Sequence, residues 1–152
     1  MNKPSRDFRQ QHTPTEIRLN RDNASLDVDF EDGKNFSIPI ELLRVESPSA
    51  EVQGHSADQK KWIGGKRGVM ITEINPIGNY AVAIVFDDGH DSGFYTWDIL
   101  YRFGEHQDAM WAMYLDEIKA AGLSRDPDET AKPAPQHTPY TEGTTILNKP
   151  DS

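Results

Sequence analysis

The chain has 152 residues, of which 36% are hydrophobic and 27% charged, with a net charge of −9; that suits one domain with unpacked ends rather than two cores. The acidic balance argues against nucleic acid and anionic membranes as partners, because both reward a basic face. There is no cysteine, which excludes disulfides, thiolate catalysis and cysteine-held clusters on this chain alone.

Met1 to Thr13 carries few apolar residues and reads as a leader. It has no apolar h-region, and no stretch approaches a membrane span, so a cytoplasmic protein is expected. Thr15 to Leu19 alternates polar and apolar residues, as a half-buried strand does. Ser25 to Phe30 alternates again, and Asp32-Gly33 predicts a type I′ hairpin turn into a short strand, Phe36 to Ile38. Pro39 then fits the first turn of a short helix ending at Arg44.

Glu46 to Trp62 has no clear period and is punctuated by Pro48 and Gly54, so a long excursion is expected. Gly64-Gly65-Lys66 is followed by Arg67-Gly68, not by the Ser or Thr of a phosphate loop, and reads as a turn. Gly68 to Ile74 is a predicted strand, and Asn75 to Asn79 a turn cluster. Tyr80 to Phe86 is the most apolar strand and therefore central. Asp88-Gly89 turns it back into Ser92 to Tyr95.

Thr96 can cap a short helix, Trp97 to Phe103, that Gly104 would end. A second helix runs from Glu105 to Ala121, with Met110, Trp111, Tyr114, Leu115 and Ile118 on one face packed against the sheet. From residue 123 to 152 the chain is rich in Pro, Thr and Asp and reads as a disordered tail. His12 and His137 are read as solvated.

A repeat lies within this order. Leu26-x-Val28-x-Phe30-x-Asp32-Gly33 reappears 56 residues later as Val82-x-Ile84-x-Phe86-x-Asp88-Gly89, and the same shift carries Leu43 to Ile99. The expected fold is α+β: a small sheet of mostly antiparallel strands from two hairpin-and-helical-turn units, covered by a C-terminal amphipathic helix, in a domain over residues 14–122.

Ile40 to His55 and Phe86 to Leu100 together resemble the gamma-butyrobetaine-hydroxylase-like N-terminal domain, which often stands alone in bacteria. In the hydroxylases this domain precedes the catalytic jelly roll. The resemblance implies one structural zinc, held by three cysteines after a Leu-Leu-Arg-like segment and a histidine in an Asp-Gly-His turn. His90 matches the histidine, while the cysteine region, Val45 to Val52, holds Ser47 and Ser49 and no cysteine. Similar domains are also fused to P-loop carriers of iron–sulfur clusters, which implies a role near metal or iron–sulfur processes.

An ordered core of this length has no room for the jelly roll, and no His-x-Asp start of a non-haem iron triad is present, so no enzyme is expected. Two readings follow. The first is a non-catalytic binding or adaptor domain that takes a protein partner and needs no cofactor. The second is a weak metal or small-molecule site, with zinc or iron on His55, His90 and a carboxylate from Glu51, Asp88 or Asp91. Trp62, Tyr95 and Trp97 are candidates for a shared apolar groove, with core packing as their plainer role.

Overall fold

The computed structural model describes residues 11–54 and 59–127 and the backbone of the strand at residues 144–148. In chain order the elements are β1 (Pro14–Asn20), β2 (Ser25–Phe30), β3 (Asn35–Pro39), α1 (Ile40–Val45), α2 (Ala50–Gln53), β4 (Ile71–Ile77), β5 (Ala81–Phe86), β6 (Gly93–Thr96), α3 (Trp97–Ala120) and β7 (Thr144–Asn148). The α+β class is as expected, but the strands divide into two antiparallel sheets, ordered β3-β2-β1-β7 and β4-β5-β6. The strand β7 falls where the sequence reading places only a tail.

The two units repeat one arrangement of strands, turn and helix start. β2 and β5 occupy positions 56 residues apart, and β1 and β4 positions 57 apart. Both pairs carry a register shift at the matching place, Pro14/Glu16 and Ile71/Glu73. The Thr15 hydroxyl donates to the Asp29 carbonyl and the Thr72 hydroxyl to the Val85 carbonyl, at 3.3 and 3.2 Å. Ile40 N–H donates to Ala24 O where α1 starts, and Trp97 N–H to Tyr80 O where α3 starts. One extra residue between His90 and Gly93 lengthens the second hairpin. Leu43 therefore corresponds to Leu100, which is fully buried, and not to Ile99.

The hairpins use a three-residue loop instead of the expected type I′ turn. Gly33 N–H bonds Phe30 O, and Phe30 N–H bonds Lys34 O; Gly89, Phe86 and His90 repeat both bonds. Only the glycines have positive φ, +90° and +92°, so each loop is a type I turn closed by a glycine bulge. The Asp32 and Asp88 carboxylates accept the N–H two residues on, each at 3.0 Å, which fixes the second half of each loop without left-handed backbone at the aspartate.

Contacts between the copies are reciprocal, as across a two-fold axis. Asp32 accepts from the Tyr101 hydroxyl at 2.7 Å, and its counterpart Asp88 accepts from Arg44, the counterpart of Tyr101, at 2.8 Å. Phe36 packs on Gly104, and their counterparts Gly93 and Ser47 also meet. One hydrophobic core results, built from Ile17, Leu26, Val28 and Phe30 of the first sheet and Ile74, Val82, Ile84 and Phe86 of the second.

The expected break between two helical stretches after Thr96 exists, but it falls at His106 and not at Gly104. Thr96 does cap the start, accepting from Ile99 N–H at 3.2 Å, but α3 continues to Ala120 with a kink at His106 (φ −113°, ψ 15°). Gly104 lies inside it and does not end it. A methyl at Gly104 would stand 2.2 Å from the Phe36 ring, so the glycine is there to let helix and strand meet. The second half of α3 also packs elsewhere than expected: Tyr114 and Ile118 bury against Leu42 and Val45 around α1, while Leu115 is exposed.

β4 runs through Pro76, because in an edge strand a residue without an N–H is tolerated. The fold also continues past Gly122. Gly65 N–H bonds Ser124 O and Arg67 N–H bonds Arg125 O, at 2.7 and 2.8 Å.

Candidate functional site

His90 leaves the β5–β6 turn with its ring pointing inward and is 7% exposed. Its Nε2 lies 2.9 Å from Ser47 Oγ, and its Nδ1 lies 2.9 Å from Glu51 Oε1. With Nδ1–H donating to the carboxylate, Nε2 of the neutral ring accepts from the serine hydroxyl. Glu51 comes from the short helix α2 and also meets the Ser92 hydroxyl at 3.4 Å. The turn residue Asp88 holds Arg44 Nε at 2.8 Å and Lys66 Nζ at 2.5 Å. Burial raises the Asp88 pKa, but Lys66, the His90 N–H and Arg44 outweigh it and leave it below the ordinary aspartate value.

The order Ser47, His90, Glu51 is that of a hydrolytic relay, but the geometry does not support that chemistry. Ser47 has no exposed surface, and even a methyl at Gly93 would sit 2.7 Å from its Oγ. No carbonyl can approach the oxygen in line. The three side chains act as a clasp that ties the 46–53 excursion to the second hairpin.

The zinc that the resemblance implies does not fit these residues either. A serine hydroxyl is a poor ligand beside a thiolate, and both His90 nitrogens already have partners. Among the described residues no group of three His, Cys, Asp or Glu side chains could hold a metal ion. His55 lies outside the described residues. Asp91, the third carboxylate considered, is exposed, and Asp88 is committed to Arg44 and Lys66. Adding EDTA is therefore expected to leave the Tm unchanged, while His90→Ala lowers stability by about 1–3 kcal/mol by stranding the Ser47 hydroxyl. A chelator-induced drop in Tm by differential scanning fluorimetry would contradict this.

Burial and the nearby Arg44 guanidinium hold His90 below its ordinary pKa of 6.5, against the opposing pull of Glu51 and Asp88. The unfolded chain thus takes up this proton at a higher pH than the folded one. The stability from neutral His90 is complete above about pH 6.5 and is lost as pH falls below it. Denaturant melts between pH 5 and 8 should show that slope in the wild type and a shallower one in His90→Gln.

Trp62, Tyr95 and Trp97 are not brought into one groove. Tyr95 and Trp97 are buried in the main core, where their polar ends donate to the Leu43 and Asn79 carbonyls. Trp62 lies against the smaller cluster around Tyr114, with Lys60 Nζ 3.9 Å above its ring. His12 is only partly solvated: it stacks on Tyr101 at 3.5 Å and pairs with Asp98 at 3.2 Å.

Two features have no short-range signature in the sequence. Glu41, 8% exposed, accepts two bonds from Arg125 at 2.8 and 2.9 Å and one from the Tyr114 hydroxyl at 2.9 Å. Burial, reinforced by that bond, pushes the Tyr114 pKa up. The second feature is the outer face of the second sheet. Asn20, Asp27, Asp29 and Ser37 of the first copy correspond to Ile77, Ala83, Val85 and Phe94 of the second. In the first copy the face is laced by polar side chains: Asn20 bonds Asp27 at 3.2 Å, and Asp29 takes Arg18 and Asn35 at 3.0 and 2.7 Å. In the second these four positions are apolar, with Phe94 54% exposed, while Glu73 and Asn75 remain on the same face. The repeat could have disclosed this once strand register was known.

Residues 17–101 match the family described as gamma-butyrobetaine hydroxylase-like, N-terminal, and the chain belongs to that family, as the two sequence segments implied. The description names the N-terminal part and not the catalytic domain. No curated protein matches. Among solved structures, the chain is similar to two proteins determined by NMR in solution. One is 42% identical over 82% of this chain and 99% of its own, with a TM-score of 0.68. The other is 39% identical over 90% and 98%, also with a TM-score of 0.68. A crystal structure of a protein with unknown function from Acidithiobacillus ferrooxidans, belonging to the DUF971 family, is 36% identical over 60% of this chain and 92% of its own, with a TM-score of 0.52. No helix among the described residues is long and apolar enough to cross a membrane.

Proposed function

We propose that the protein is a non-catalytic binding domain that works by presenting the outer face of its second sheet to another protein. One observation carries this reading. At four matched positions the first copy of the unit has Asn20, Asp27, Asp29 and Ser37, and the second has Ile77, Ala83, Val85 and Phe94. These positions hold matching places in the strand register of the two copies, so the register alone does not require the apolar set. A face that leaves Phe94 54% exposed costs solubility unless it has a use. The closed state of Ser47 and His90 supports a role without catalysis, and the family resemblance makes proteins of metal and iron–sulfur handling the first partners to assay.

The test uses a photo-crosslinking amino acid placed at position 94 or at its duplicate, position 37, in the full chain in cells. A single adduct from position 94, absent from position 37, supports the reading once its identified component binds the purified chain and Phe94→Ser weakens that binding at least tenfold. No adduct, or equal adducts from both positions, overturns it.

A further inference from the structure

We infer that the partner surface received by the second sheet is basic around an apolar centre, with Phe94 as the anchor and Glu73 and Asp91 as the acidic rim. This rests on the reading of that face as a docking surface and adds its chemistry. The face centre is Phe94 on β6, paired across the sheet with Ala83, which is in turn paired with Asn75 on β4. Val85 lies beside Ala83 on the same face and pairs with Glu73, which is exposed. Ser92 and Asp91, two and three residues before Phe94 in the chain, are exposed as well.

Along the chain, the charge of the segment that forms this sheet has one sign. Between Arg67 and Arg102 the chain contains no lysine or arginine, and it contains Glu73, Asp87, Asp88, Asp91 and Asp98. The cations just before that stretch are occupied: Lys66 pairs with Asp88 and Arg67 with Asp126, each at 2.5 Å. The first copy is different, for there Arg18 lies between Glu16 and Asp29 at 2.7 and 3.0 Å. The switch to apolar residues thus coincides with the loss of every local cation.

An apolar anchor inside an acidic rim selects a partner with lysines or arginines around a hydrophobic patch. A second copy of this chain is disfavoured, because facing copies would oppose Glu73 and Asp91 to the same carboxylates on a chain of net charge −9. Anionic bilayers and nucleic acid are repelled by the same rim.

The experiment follows backbone amide shifts of the isotope-labelled full chain during titration with a synthetic amphipathic helical peptide of leucines and lysines. Saturable shifts confined to residues 73–85 and 91–96 are expected, with the Kd rising at least tenfold in Phe94→Ser and at least threefold in Glu73→Lys/Asp91→Lys. Both variants change exposed side chains, so their Tm values should stay near that of the wild type. A peptide with glutamate in place of lysine should cause no shifts. Equal binding of the acidic peptide, shifts centred on residues 14–39, or no saturable shifts would overturn the inference. So would a Phe94-dependent dimer in sedimentation, which would assign the face to a second copy. A position-94 crosslink to an acidic partner would overturn the basic chemistry alone, whereas absence of any crosslink would remove the docking reading itself.

Discussion

Glu41→Ala is expected to destabilise the protein by about 3 kcal/mol, which is a fall in Tm of roughly 10–20 °C for a domain of this size. The carboxylate is 8% exposed and holds three groups at once: two nitrogens of Arg125 and the Tyr114 hydroxyl. It joins α1 to the second half of α3 and to the segment after it. Alanine leaves a half-buried guanidinium and a buried hydroxyl without their acceptor. Glu41→Gln keeps the shape and one acceptor oxygen, so its loss should be smaller. Chemical denaturation of the two variants measures the difference. Equal losses would mean that the side chain's volume and not its charge holds the helices together.

Gly104→Ser is expected to cost about 3 kcal/mol through overpacking. The added Cβ would stand 2.2 Å from the Phe36 ring, which cannot swing away because it also packs edge-on against Phe30 and Tyr101 at 6.0 and 5.3 Å. The duplicate contact supplies the remedy, since the counterpart of Gly104 is Ser47 and the counterpart of Phe36 is Gly93. Each copy thus keeps one glycine at the crossing, on opposite partners. Phe36→Gly loses buried surface by itself, but it should relieve Gly104→Ser. The cycle should show a coupling of about 1–2 kcal/mol in favour of the double variant. Simple additivity by denaturant melts would argue against the reciprocal arrangement.

Much of the hairpin architecture was legible in the sequence. Period-two alternation placed β1 and β2, because one face of each strand is buried, and an apolar run placed β5. The shared Asp-Gly pair exposed the duplication, although the turn type was misread. Asp-Gly serves a type I turn with a glycine bulge as well as a type I′ turn, and the chain's own loop length decides between them. The helix after Thr96 was split at Gly104 because glycine reads locally as a stop. Its reason is a ring from Phe36, 68 residues earlier in the chain. Glu41 and Arg125 are 84 residues apart and sit in no shared motif.

The site was legible unevenly. His90 stood out through its turn and its family, and Glu51 was among the carboxylates named for it. Ser47 entered only through the resemblance, since nothing local in Glu46-Ser47-Pro48 points to a partner 43 residues away. The tryptophans misled in the usual way, because large aromatic residues fill cores more often than they line grooves. The outer face of the second sheet was missed because Ala83, Val85 and Phe94 look like any strand residues. Their meaning emerges only against Asp27, Asp29 and Ser37 at the matching register positions of the first copy.

That comparison also supplies the most direct measurement. The four residues of the first copy can be grafted onto the second as Ile77→Asn, Ala83→Asp, Val85→Asp and Phe94→Ser, and the Tm of the full chain recorded. A working surface that folding does not need predicts a Tm within a few degrees of the wild type, together with loss of the position-94 partner. A cooperative transition lowered by 15 °C or more would contradict it, because the apolar set would then belong to the core and not to a partner.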